Sequence, residues 1–157
     1  MQRQKIPMET LVQLLQVQLQ EGGRANLTVT GWSMLPMLQN GKDRVTLIPP
    51  HNKLKKKDII LYRRENGQYV LHRIIAVENG SYILSGDNQA MREVVTHNQV
   101  IGLVSDFTHK GKPCSMQSLG YRLYAWLWVE LFCLRKAYIF VRRRVGRFLG
   151  KLRKKFR

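Results

Sequence analysis

Near the start of the chain the apolar residues Met8, Leu11, Val12, Leu15 and Leu19 fall on one helical face, and Gly22-Gly23 follows as a stop signal. This spacing predicts one short amphipathic helix over residues 8–20. Beyond it the period shortens. Apolar, often β-branched runs at residues 27–30, 44–48, 58–62, 69–77, 82–84 and 100–104 are separated by turn residues, and Asn66-Gly67 and Asn79-Gly80 read as hairpin turns. The middle of the chain is therefore expected to be β-structure with short connections. From Leu127 the period lengthens again: Leu127, Leu131, Leu134, Tyr138, Val141, Val145, Phe148, Leu152 and Phe156 alternate steps of four and three. That pattern predicts one helix of about 30 residues, roughly 45 Å long. Trp126, Trp128, Phe132 and Phe140 widen its apolar side, while Arg142, Arg143, Arg144, Arg147, Lys151 and Lys154 fall mainly opposite.

A chain of 157 residues is long enough for one domain with a real core and a short appendage. The division expected is residues 1–118 as the domain and 119–157 as a basic helical extension. Charge supports this boundary. The chain has 27 Lys and Arg against 10 Asp and Glu, and residues 119–157 hold 12 of the basic residues with Glu130 as their one acid. A polyanionic partner is expected to meet this C-terminal quarter. Cys114 and Cys133 lack the pairing of a disulfide framework and the spacing of a zinc site, so both are read as free thiols in a reducing compartment, with no metal and no cofactor expected. Residues 8–20 are too polar for a signal peptide, and the longest uncharged C-terminal stretch, residues 123–129, is too short to span a bilayer.

Three short segments could carry chemistry. Gly31-Trp32-Ser33-Met34-Leu35-Pro36 follows a predicted strand, and a nearby proline stiffens the chain around the serine. A serine is a weak nucleophile until a base takes its proton, and by itself this one reads as ordinary turn chemistry. Of the four histidines, His51, His97 and His109 fall in turns or on the surface. His72 instead sits within a predicted strand, a rigid placement that suits a general base, though a mid-strand histidine alone is more often structural. Gly86-Asp87-Asn88 follows another strand, and Glu93 lies six residues beyond Asp87. Either carboxylate could orient an imidazole.

Together and in this order, the segments 31–38, 58–62, 69–75 and 86–88 resemble the type I signal peptidase superfamily, which includes the self-cleaving repressor proteases. The resemblance covers about residues 25–105. It implies a mainly β, coiled β-barrel-like protease domain with the short N-terminal helix before it and the long basic amphipathic helix after it. It also implies that Ser33 is the nucleophile of the Ser-Met-x-Pro motif. His72, followed by Arg73, stands where bacterial leader peptidases carry a lysine base, so the chain is more similar to the Ser/His branch. In that branch a carboxylate follows the Gly-Asp-Asn motif. Glu93 has a similar offset, and Glu93 and Asp87 remain alternative orienters, with a bracing role also open to Asp87. The implied reaction is acyl transfer on a protein or peptide substrate with small side chains before the cut. The Ser33 N–H is one candidate oxyanion donor; Gly31 stands where some members carry a serine hydroxyl, so that second donor comes from backbone or is missing. Cleavage is expected to fall as His72 protonates, with a rate that changes between pH 5 and 8.

Two departures from the family pattern matter. Lys57-Asp58 replaces a Gly-Asp turn, and the usual N-terminal membrane anchor is absent from residues 1–25. The basic helix is the expected substitute, because an apolar face opposite Lys and Arg is the mark of a helix lying on an anionic membrane. A peripheral position on the cytoplasmic face follows as an expectation. Packing against the β domain or a coiled-coil partner is the competing role for the helix. Nucleic acid is disfavoured, since one helix at residues 8–20 is too little for a helix-turn-helix. The functional expectation is a membrane-associated serine endopeptidase acting on leader or signal segments. The alternative is a non-proteolytic module whose cationic helix binds membrane, nucleic acid or a partner. The oligomeric state is not legible.

Overall fold

The structure is a computed structural model that describes residues 8–132, 134–135, 137–141 and 144–145. Helix α1 (Met8–Gln20) is followed by strands β1 (Ala25–Thr28), β2 (Arg44–Ile48), β3 (Ile59–Arg63), β4 (Tyr69–Glu78), β5 (Ser81–Ser85), β6 (Glu93–Val95), β7 (Val100–His109) and β8 (Lys112–Ser115), and then by helix α2 (Leu119–Glu130). The strands form one antiparallel sheet in the order β1-β2-β7-β3-β4-β5-β6, with β8 also bonded to β7. β3 and β8 share one edge of the long β7 while β2 takes the other. Each of the six predicted runs overlaps a strand, with residues 29–30 and 58 falling outside; β6 and β8 are additional.

The expected barrel-like closure does not occur. β1 bonds only to β2 and β6 only to β5, so the sheet has two free ends. These terminal strands are 4 and 3 residues long. Loops join the two halves in place of a strand ladder: Asn88 N–H donates to the Ser33 carbonyl at 2.7 Å, and Asn88 Nδ2 donates to the Trp32 carbonyl at 3.2 Å.

Strand alternation distributes the core between two faces. Val12, Leu15 and Leu19 of α1 cover one face, against Leu27, Val45, Leu47, Ile59 and Leu61. Ile60, Tyr62, Ile74, Leu84, Val95 and Leu103 form the other cluster. β3 is therefore buried on both faces, as its unbroken apolar sequence requires.

The C-terminal helix departs from expectation. α2 begins at Ser118, whose hydroxyl accepts from Tyr121 N–H, and ends at Leu131, where ψ swings to 36°. Helical backbone resumes at residue 132 and continues through the described residues up to 145, so the single helix of about 30 residues is interrupted. Its buried face is also the neighbouring one. Ala125, Val129, Phe132, Arg135 and Ile139 are buried, whereas Leu127, Leu131, Leu134, Tyr138, Val141 and Val145 are exposed. Apolar periodicity favours the exposed stripe because the buried one includes Arg135 and half-buried Tyr121, Tyr124 and Trp128, each of which bonds a polar group of the β domain. Cys133, Arg142, Arg143, Arg147, Phe148, Lys151, Leu152, Lys154 and Phe156 lie outside the described residues. Among the described residues, no helix is long and apolar enough to cross a membrane.

Candidate active site

Ser33 lies in the loop joining β1 to β2. Leu38 N–H donates to the Met34 carbonyl at 3.0 Å, and buried Met34, Met37 and Leu38 tie the loop into the core. Gly31 takes φ +94°, a left-handed conformation that suits glycine, and its N–H donates to Asn40 Oδ1 at 2.9 Å. The neighbouring Ser33 N–H and the Ser33 hydroxyl make no hydrogen bond to a described residue. Both are available to a bound group.

His72 lies on β4 opposite Ile60 and is 1% exposed. It shares a cleft of about 420 Å³ with Ser33, Trp32, Arg64, Leu71 and Asn88, and Trp32 is 64% exposed at this cleft. The separation of serine and imidazole is bounded by Gly86. A β-carbon placed there would lie 3.0 Å from His72 Nε2, 3.0 Å from Ser33 Cβ and 2.7 Å from the Ser33 carbonyl oxygen. Ser33 Cβ and His72 Nε2 therefore cannot be farther apart than twice 3.0 Å. Any side chain at residue 86 would push into both; this is the close approach that requires glycine.

The other ring nitrogen fixes the tautomer. Tyr62 Oη lies 3.1 Å from His72 Nδ1 and donates its proton to Glu93 Oε2 at 2.8 Å. An ionised carboxylate only accepts, so the phenol proton is committed to Glu93 and the phenol oxygen accepts from Nδ1–H. Nε2 is then the bare nitrogen. Glu93 Oε1 also stands 3.5 Å from Nδ1, and Arg64 grips both Glu93 oxygens through Nε, at 2.7 Å, and Nη2. Burial pushes the Glu93 carboxyl up, but the hydrogen bonds from Arg64 and Tyr62 outweigh it, so it sits below its ordinary value. Burial pushes His72 down to about 4, against the pull of Glu93. The imidazole is thus neutral at pH 7, the form that can accept a hydroxyl proton.

Asp87 occupies the opposite side of β4. Consecutive strand residues point to opposite faces, so the partner of Arg73 is turned away from His72. Arg73 donates from Nε to Asp87 Oδ1 at 2.9 Å and from Nη2 to Oδ2 at 2.7 Å, with both residues fully buried. Tyr124 Oη donates to Oδ2 at 3.0 Å and Trp128 Nε1 to the Asp87 carbonyl at 2.8 Å. Burial works against the Arg73 charge, but Asp87 overcomes it and raises the guanidinium further.

Ser33, His72 and Glu93 are thus brought together, while Asp87 braces the turn behind them. Tyr62 and Arg64 join this candidate site through His72 and Glu93 and were not singled out from the sequence. The signal for Tyr62 lay in register: once Ile60 faces His72, Tyr62 shares that face two residues away. The other histidines are elsewhere. His97 Nδ1 meets Tyr82 Oη at 3.0 Å, His109 Nδ1 donates to the Met37 carbonyl at 2.7 Å, and His51 is exposed. Among the described residues, no group of His, Cys, Asp and Glu side chains is placed to hold a metal ion.

Residues 3–105, well over half the chain, match the family model described as Peptidase S24-like. No curated protein and no solved structure matches.

Proposed function

Because the chain belongs to the Peptidase S24-like family, which shares the fold of signal peptidases and self-cleaving repressor proteases, we propose that it is a serine endopeptidase with Ser33 as nucleophile and His72 as general base. The observation that carries this reading is the shared approach of Ser33 Cβ and His72 Nε2 to Gly86, with Nδ1 held through Tyr62 and Glu93. His72 Nε2 takes the Ser33 proton as Oγ attacks a peptide carbonyl, and the Ser33 N–H donates to the oxygen that becomes negative. The imidazolium then protonates the leaving amine as the C–N bond breaks. Water attacks the acyl ester, giving its proton to Nε2, and the returning proton restores the serine. Glu93 orients the ring through Tyr62 and stabilises its charged form, while Asp87 braces the turn through Arg73.

The peptidase is assigned to residues 1–118 and its basic extension to residues 119–157. The substrates proposed are leader or signal segments of proteins, met at an anionic membrane surface by the exposed stripe of the extension. A serine-directed fluorophosphonate tests the chemistry. It is expected to label Ser33 in the wild type and to leave Ser33→Ala and His72→Ala unlabelled. A folded wild type that never reacts would favour a non-proteolytic binding module.

A further inference from the structure

We propose that Tyr124, Trp128 and Arg135 are positioning residues that hold the Gly86-Asp87-Asn88 turn against Ser33 and His72. The inference rests on the peptidase reading and extends the working site into the C-terminal helices. All three side chains lie beyond residue 105, where the family match ends.

The turn is held from two sides. Towards the cleft, Asn88 N–H bonds the Ser33 carbonyl, and Gly86 packs against Ser33 Cβ and His72 Nε2. On the far side Tyr124 bonds the Asp87 carboxylate and Trp128 the Asp87 carbonyl. Arg135 Nη2 bonds Ser85 Oγ at 2.9 Å and the Gln89 carbonyl at 3.1 Å, one at each end of the turn. The span from residue 85 to 89 is thus fixed at both ends and at its middle by side chains from α2 and from the helical backbone that follows it. Stability alone gives a poor account of Arg135. It is 4% exposed, its Nε has no hydrogen-bond partner among the described residues, and its guanidinium lies over the Phe132 ring, 4.4 Å from the centroid, in place of a carboxylate. Burying a guanidinium with no carboxylate partner is costly, whereas a hydrocarbon side chain could fill the same space. Its two-point grip on the turn is what a hydrocarbon cannot supply.

The test uses the full chain carrying Tyr124→Phe and Trp128→Phe together, which removes the two donors that α2 supplies to Asp87, leaves the Arg73 pair in place and retains aromatic rings. Two readouts are taken, the fluorophosphonate labelling rate of Ser33 and the hydrogen exchange of the Asn88 amide, with β1 and β2 amides as internal reference. The expected result is labelling slowed about tenfold, as for the loss of one or two buried hydrogen bonds. Asn88 exchange is expected to be faster by a similar factor, with the reference amides unchanged. Wild-type labelling together with wild-type Asn88 exchange overturns the inference. So does a change in only one readout, since positioning requires both. If the wild type itself is never labelled, the peptidase reading fails, and unchanged Asn88 exchange would separately overturn the coupling. Arg135→Met removes both Nη2 bonds while keeping an unbranched side chain of similar length, and it should reproduce both effects if the two-point grip is what matters.

Discussion

At the scale of single residues, the proposed chemistry turns on the order of donors around His72. The phenol of Tyr62 relays between Nδ1 and Glu93, so its removal leaves the ring with only the longer approach of Glu93 Oε1, at 3.5 Å. Tyr62→Phe is expected to lower kcat roughly 10- to 100-fold with KM little changed, as for the loss of a group that orients a general base. Unchanged steady-state kinetics would mean that Glu93 acts without the phenol. Burial of the ring also moves the pH dependence. The histidine motif alone places the acid limb near the ordinary value of about 6.5. With His72 held at about 4, the base stays neutral throughout pH 5 to 8, so kcat/KM should be level there and fall only as pH drops through about 4. The sequence-based expectation of a changing rate between pH 5 and 8 is corrected accordingly. The same shift enters stability with a definite sign. Between about pH 6.5 and 4 the unfolded chain binds the proton that the folded one refuses, so stability is complete above 6.5 and declines towards 4. An imidazole titration by NMR with its midpoint near 6.5 would contradict both statements.

At the scale of elements, the strand that carries His72 was legible because its apolar run is long, β-branched and bounded by Asn-Gly turns. β6 was not, since three residues, Glu93 to Val95, are too few to show a period. Glu93 was therefore placed by offset alone, and its choice over Asp87 required knowing which face of β4 each acid meets. The departure at Lys57-Asp58 also acquires a physical meaning. Lys57 adopts φ +84° while its N–H donates to the Ile74 carbonyl at 2.8 Å, the conformation in which a glycine is comfortable and a lysine is strained. Against this strain stands a half-exposed contact between Lys57 Nζ and Glu130 at 3.6 Å, worth little in solvent. Lys57→Gly is expected to stabilise the fold by about 0.5–1 kcal/mol, raising the thermal midpoint by about 2 °C. A lower midpoint would show that the link to Glu130 outweighs the backbone.

At the scale of the whole molecule, the C-terminal helices present two surfaces with different chemistry. The inner one, with its tyrosines, Trp128 and Arg135, is committed to the turn behind the cleft. The outer one keeps Leu119 80% and Leu134 65% exposed, beside a chain of net charge +17. Scattered exposed leucines need no explanation, but a row of exposed leucines at three- and four-residue spacing, Leu119, Leu123, Leu127, Leu131 and Leu134, on a cationic segment is the pattern proposed to meet anionic lipid. Each Lys or Arg near such a leaflet adds about 1 kcal/mol, an attraction that salt screens, while the leucines add a salt-insensitive part. The two contributions can be separated by flotation with vesicles. Wild-type protein is expected to float with phosphatidylserine-containing vesicles at low salt and much less with neutral ones. Leu123→Glu with Leu134→Glu should lower the floated fraction severalfold at every salt concentration, because it removes apolar burial and places acid next to the leaflet. Equal flotation of the double variant would leave charge as the whole attraction and remove the stripe from it, and no flotation of the wild type would end the membrane proposal while leaving the chemistry at Ser33 untouched.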